Sequence, residues 1–95
     1  MGMFDRVLKH FREKIRRREY VMTIHAEEEM DDNGLTILDV ESSVLTGRIV
    51  ERQRDVRTRE WKYVVSGAGI DGRPAGIGGK LSATGRLVIL TTYRE

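Results

Sequence analysis

Ninety-five residues with 39% apolar and 34% charged content describe one globular domain, large enough for a single core beneath a heavily charged surface. The absence of cysteine excludes disulfides, thiolate metal sites and cysteine nucleophiles. No apolar run approaches the ~18 residues that span a bilayer, and the N-terminus turns basic instead of forming a signal-peptide core, so a cytoplasmic protein without membrane contact is expected.

A net charge of +2 hides a strong asymmetry. From Met1 to Arg18 seven basic residues face only Asp5 and Glu13, whereas from Ala26 to Glu41 seven acidic residues face no base. Such blocks attract one another, within a chain or between chains, and the basic block also suits a phosphate backbone. Arg12, Arg16, Arg17 and Arg18 are its candidate nucleic-acid surface; a solvated helix face is the alternative.

Phe4, Val7, Leu8, Phe11 and Ile15 recur at helical spacing, which predicts a basic amphipathic helix over residues 3–19. Thr23 is a good N-cap for a second helix ending near Asn33-Gly34. Thr36, with Asp39 three residues on, forms an approximate capping box for a third helix, stopped by Gly47. Its expected apolar face is Ile37, Val40, Val44 and Leu45. The pattern then changes to strands, expected over residues 48–55, 60–67, 74–81 and from Leu87 onward. Trp61, Tyr63 and Val65 alternate onto one face, and Asp71-Gly72 is a hairpin turn signal. The run Leu87 to Leu90 predicts a central last strand, buried on both sides. Helices followed by strands mean α+β: three N-terminal helices on a four-stranded antiparallel sheet, in two layers.

His25, one of two histidines, stands where the second helix begins. There it suits general acid or base chemistry near neutral pH, and the free backbone N–H groups of that turn suit an anion. A hydrogen bond within the cap region is the structural alternative. The acidic run Glu27 to Asp32 lacks the ligand alternation of a calcium loop, and helical geometry splays its carboxylates, so no metal is expected. Gly76-Ile77-Gly78-Gly79-Lys80 resembles a phosphate loop superficially. Pro74 and Leu81 stand where that motif needs glycine and Ser/Thr, and the segment lies between strands. Glycines in a strand instead mark a bulge or a close approach, with Lys80 a candidate phosphate contact. On the last strand a period of two puts Leu87, Ile89, Thr91 and Tyr93 on one side, with Val88, Leu90, Thr92 and Arg94 on the other. Tyr93 can donate a proton or stack on a base, and Arg94 can clamp a phosphate. Trp61 and Tyr63 are core residues or, if exposed, a stacking platform.

Thr23-Ile-His25-Ala26, Met30 to Gly34, Asp39-Val40 through Val44-Leu45 to Gly47, Tyr63-Val64-Val65 and Thr91-Thr92-Tyr93 together resemble a small bacterial family of domains of unknown function. The resemblance covers residues 20–94, with the basic helix 3–19 as an N-terminal addition. Glu29 stands where that family usually carries arginine, and its third strand is usually apolar where this one is glycine-rich. Such domains are similar in layout to RelE-like and MqsR-like toxin ribonucleases, and some are encoded beside small antitoxin-like proteins. That similarity implies metal-independent RNA cleavage, or descent from it, without a cofactor. In this reading His25 is base or acid, Tyr93 its proton-transfer partner, and Lys80 and Arg94 stabilise charge. Arg52 and Arg54 steer the substrate, and Thr91 shares the face of Tyr93. The rival is a non-catalytic interaction module: a homodimer, or the partner of a small antitoxin-like protein. A two-layer fold leaves one sheet face bare for such a contact.

Overall fold

The computed structural model describes residues 2–94. In chain order the elements are α1 (Asp5–Arg16), β1 (Tyr20–Met22), α2 (Ile24–Asp32), α3 (Ile37–Thr46), β2 (Arg48–Arg54), β3 (Trp61–Ala68), β4 (Pro74–Leu81) and β5 (Leu87–Arg94). The fold is α+β, with three helices on a sheet ordered β1-β5-β4-β3-β2. The expected four-stranded antiparallel sheet is thereby corrected. A fifth strand, β1, lies between α1 and α2 and pairs in parallel with β5, Tyr20 opposite Leu87 and Met22 opposite Ile89. Three residues give no alternation to read, and the partner strand is distant in sequence.

β5 is interior and paired on both edges, although β4 holds the middle place. The expected burial of β5 on both sides is corrected, because Leu87 and Ile89 are buried while Val88 and Leu90 on the other face are only half-buried. Among the described residues, the helices cover only one face of the sheet. Val65, Ile77, Leu87 and Ile89 are buried on that face against Leu8, Phe11 and Ile15 of α1, Ala26 of α2, and Val40 and Val44 of α3. At roughly 1.5–3 kcal/mol per fully buried large apolar side chain, this cluster is the main favourable term of folding. Phe11 belongs to it and meets Tyr63 edge-on at 5.9 Å between ring centroids, so α1 is integral to the core.

The helix ends follow their caps. The Thr23 hydroxyl accepts from the Ala26 N–H at 3.1 Å, and Thr36 with Asp39 closes the reciprocal box at α3. The expected apolar face of α3 is half right. Val40 and Val44 are buried, while Ile37 and Leu45 remain more than a third exposed. Ser43 is fully buried beside Val40 and Val44, and its hydroxyl donates to the Val40 carbonyl. Small residues are needed there because α3 runs against backbone: a Cβ on Gly67 would collide with the Ser43 carbonyl oxygen.

Tyr20 ties β1 to α3 by donating to Glu41 at 2.5 Å. Burial first, and then this bond, push its hydroxyl up to about 12. Because the folded value lies above the unfolded one, the stabilisation is complete below the unfolded value of about 10 and fades as pH rises towards 12. Tyr20→Phe is therefore expected to lower the melting temperature at pH 8 and to reduce the further loss between pH 9 and 11. Thermal melts across that range measure it.

Candidate functional site

The open sheet face is read from the register. Lys62, Val64 and Ser66 of β3 pair with Gln53, Glu51 and Arg48 of β2, and Val64 and Ser66 with Gly78 and Gly76 of β4. On β5, Thr91 and Tyr93 oppose Gly78 and Gly76. The ladder shifts between Gly78 and Gly79, leaving Leu90 as an extra residue. This bulge corrects the period-two expectation. Thr91 does not share a face with Leu87 and Ile89; buried Thr92 follows them to the helix side and donates to the Ala26 carbonyl at 3.0 Å. Bulges re-aim side chains in this way and recur beside functional sites.

At the bulge the open face forms a hollow of about 230 Å³ lined by Gln53, Lys62, Tyr63, Val64, Gly78, Leu90 and Thr91. Gly78 is its floor. A Cβ there would lie 2.6 Å from the Thr91 hydroxyl, so any side chain would fill the space and displace Thr91.

On the outer flank of the same stretch, β1 ends after Met22 and α2 takes over the edge of β5. The Thr23 hydroxyl donates to the Leu90 carbonyl at 3.3 Å, and the Thr92 N–H donates to Glu29 Oε1 at 3.3 Å. The same oxygen lies 3.2 Å from His25 Nε2. Glu29 is half-buried and pinned to the strand, whereas the imidazole stands in solvent with its side chain 68% exposed. A carboxylate beside one ring nitrogen favours the imidazolium once it forms, and the other nitrogen stands on the solvent side of the ring. Histidine and glutamate four residues apart on a helix were visible in the sequence, where the acidic run disguised the pair.

The remaining expected site residues do not gather around His25. The Tyr93 ring crosses Gly76, and its hydroxyl lies 3.4 Å from the Val65 carbonyl of β3. Two strand spacings, roughly 10 Å, then separate that hydroxyl from the β5 edge where His25 stands. The expected His25–Tyr93 proton-transfer pair is therefore not formed. Lys80 lies on the open face but is held by both carboxylate oxygens of Glu60, at 3.2 and 3.3 Å. It is also four residues along β4 from the partner of Tyr93, roughly 13 Å away. Arg94 turns to the α2 C-terminus, donating to the Asn33 carbonyl at 3.5 Å and lying 3.7 Å from Asp71.

Arg52 and Arg54 pair with Tyr63 and Trp61, so they lie on the helix-side face, opposite the hollow. Their guanidinium carbons lie 3.9 and 5.0 Å from the centroid of the half-exposed Trp61 ring. In the basic block, Arg12 is spent on architecture: it donates to the carbonyls of Val44 and Gly47 at 3.2 and 2.7 Å, closing the end of α3. Arg16, Arg17 and Arg18 are exposed. Arg17 lies 3.9 Å from Glu19, an exposed pairing of little energetic weight. α1 packs chiefly on α3, and among the described residues no salt bridge joins its bases to the carboxylates of α2. Among the described residues, no three His, Asp or Glu side chains gather as a metal site, and no helix is long and apolar enough to cross a membrane.

Fold and site together define a small two-layer α+β domain with a bare, glycine-floored sheet face and a histidine–carboxylate pair at its β5 flank. Residues 22–94 match the family model described as a domain of unknown function, DUF4258, and the chain belongs to that family. No curated protein and no solved structure matches it. The matched span begins at the last residue of β1 and leaves out α1, although α1 completes the core.

Proposed function

We propose that this domain is a toxin-like ribonuclease module that takes an unpaired RNA strand across the open sheet face and cleaves it without metal, with His25 as the base. The observation that carries the reading is the pair itself: an exposed imidazole 3.2 Å from Glu29, whose carboxylate is anchored to the β5 backbone beside the bulge. A base oriented by a third group is the arrangement that activates a hydroxyl nucleophile. The base takes the proton of a ribose 2′-OH, whose oxygen then attacks the adjacent phosphorus. The 5′-oxygen leaves and is protonated by solvent or by the imidazolium just formed. The free N–H groups of the first α2 turn suit the phosphate.

Glu27 and Glu28 are exposed on α2 and repel a polyanion from the helix beyond its first turn. The strand therefore runs the other way, over the Gly78 floor towards Lys62 and Gln53 on β3 and β2. Gly78→Val tests the path. It fills the hollow on an exposed face, and binding of labelled RNA, read by anisotropy, is expected to weaken at least tenfold with the circular-dichroism spectrum unchanged. Undiminished binding contradicts the path.

A second reading, a docking face for an antitoxin-like partner or a second copy, is favoured by the apolar residues on the bare face. Val21 is 41% exposed, and Val64, Val88 and Leu90 are half-buried. Sedimentation at micromolar concentration tests the homodimer; a particle near the 10.9 kDa chain mass counts against it.

A further inference from the structure

We propose that the β2–β3 hairpin is a stacking clamp for unpaired RNA bases, with Trp61 as the platform and Arg52 and Arg54 as its guanidinium flanks. The inference rests on the RNA reading above and adds a second contact, on the opposite sheet face from the hollow.

Four observations converge on it. Trp61 is 37% exposed at the edge of the core, although burial would have been favourable for so large a ring. Arg52 and Arg54 lie against that ring, an arrangement that holds two flexible cations flat and ready. Arg52 also lies 5.4 Å from the Phe4 ring centroid, but among the described residues neither these two arginines nor Arg59 takes part in a salt bridge. Arg59 is held at φ +63°, a backbone conformation uncommon for a side-chain-bearing residue. It borders two surface hollows, one of about 240 Å³ beside Glu60, Trp61 and Leu81, and one of about 300 Å³ beside Arg54, Asp55 and Val56. Arginines without a salt bridge, stacked on an exposed indole with room beside the ring, match what an unpaired nucleotide needs. The base takes a π-surface, and the phosphate takes outward guanidinium N–H groups.

The position makes the contact reachable from the hollow. Gln53, which lines the hollow, sits between Arg52 and Arg54 in sequence, and Lys62 follows Trp61. Alternate residues of one two-stranded ribbon thus serve the two faces, and β2 is the outer strand. A strand leaving the hollow past Lys62 and Gln53 needs only to turn over the β2 edge to meet Trp61.

Trp61 is the chain's one tryptophan, so its emission reports stacking directly. The full chain is titrated with a dye-labelled oligouridylate of about ten nucleotides, following both dye anisotropy and indole emission, and in parallel with inorganic polyphosphate. The expected result is strong quenching by the oligonucleotide at the concentration where anisotropy rises, and little quenching by polyphosphate. Trp61→Ala should weaken affinity about tenfold, the low end of base stacking on an aromatic ring. Arg52→Ala with Arg54→Ala should lower the salt slope of single-strand binding by about 1.4. Binding with unchanged indole emission overturns the clamp and leaves the open-face reading standing. Equal quenching by polyphosphate reduces the hairpin to an anion contact and overturns stacking. Quenching by an acidic α2 peptide, but not by RNA, makes the hairpin a contact for a second copy and also overturns the clamp. No RNA binding on either readout removes both readings.

Discussion

Replacing Asp39 by alanine is expected to destabilise the domain by about 3 kcal/mol, a large part of the stability of a domain this size. Asp39 is 5% exposed and holds two elements at once. One oxygen accepts from the Thr36 N–H at 2.8 Å and from its hydroxyl at 3.1 Å, closing the α3 cap. The other accepts from the Ile70 N–H at 2.9 Å, fixing the β3–β4 turn to the start of α3. The Thr36 and Ile70 N–H groups, in that order, hold its carboxyl below the usual carboxylate range despite burial. A depressed folded value means that the stabilisation is present above the unfolded value of about 3.9 and is lost as pH falls through the folded one. Asp39→Asn keeps the shape and removes the charge. It should therefore cost less than alanine at pH 7, with the gap to the parent closing towards pH 3. Urea unfolding at pH 7, 5 and 3 measures both effects.

His25→Ala is expected to lower RNA cleavage by about 10²–10⁴-fold, the usual contribution of a positioned base. Stability should move by less than about 0.5 kcal/mol, because an exposed i,i+4 pair contributes no more. That contrast separates catalysis from structure. Glu29→Gln refines it. Glutamine can still accept from the Thr92 N–H and keep α2 on the β5 edge, but it carries no charge to stabilise the imidazolium. Cleavage should fall while the melting temperature barely changes. If Glu29→Gln cleaves like the parent, Glu29 is a helix fastener and not part of the site.

The local signals of this chain were legible because their causes are local. The Thr23 and Thr36 caps, the Phe11–Ile15 stripe and the Asp71-Gly72 turn each depend on a few neighbouring residues. What escaped depends on pairing. β1 is defined only by lying beside β5. The Leu90 bulge arises where Gly78 and Gly79 change the ladder, and one extra residue moves Thr91 to the opposite side from Leu87 and Ile89. The faces of Arg52 and Arg54 follow from their register against Tyr63 and Trp61, which the bulge at Val50 alters in turn. An expected site assembled from Tyr93, Lys80, Arg52 and Arg54 therefore divides between two faces. The smaller pair, His25 and Glu29, could be read from helical spacing, because it needs one helix and no register.

The central claim is cleavage by 2′-OH attack at the β5 flank. The most direct measurement incubates the full chain with a mixed-sequence RNA pool in excess EDTA and determines the chemistry of the new 3′ ends. The account predicts 2′,3′-cyclic phosphate ends, formed by the parent and lost in folded His25→Ala. Intact RNA at high protein concentration, or new ends bearing a 3′-hydroxyl, would contradict it.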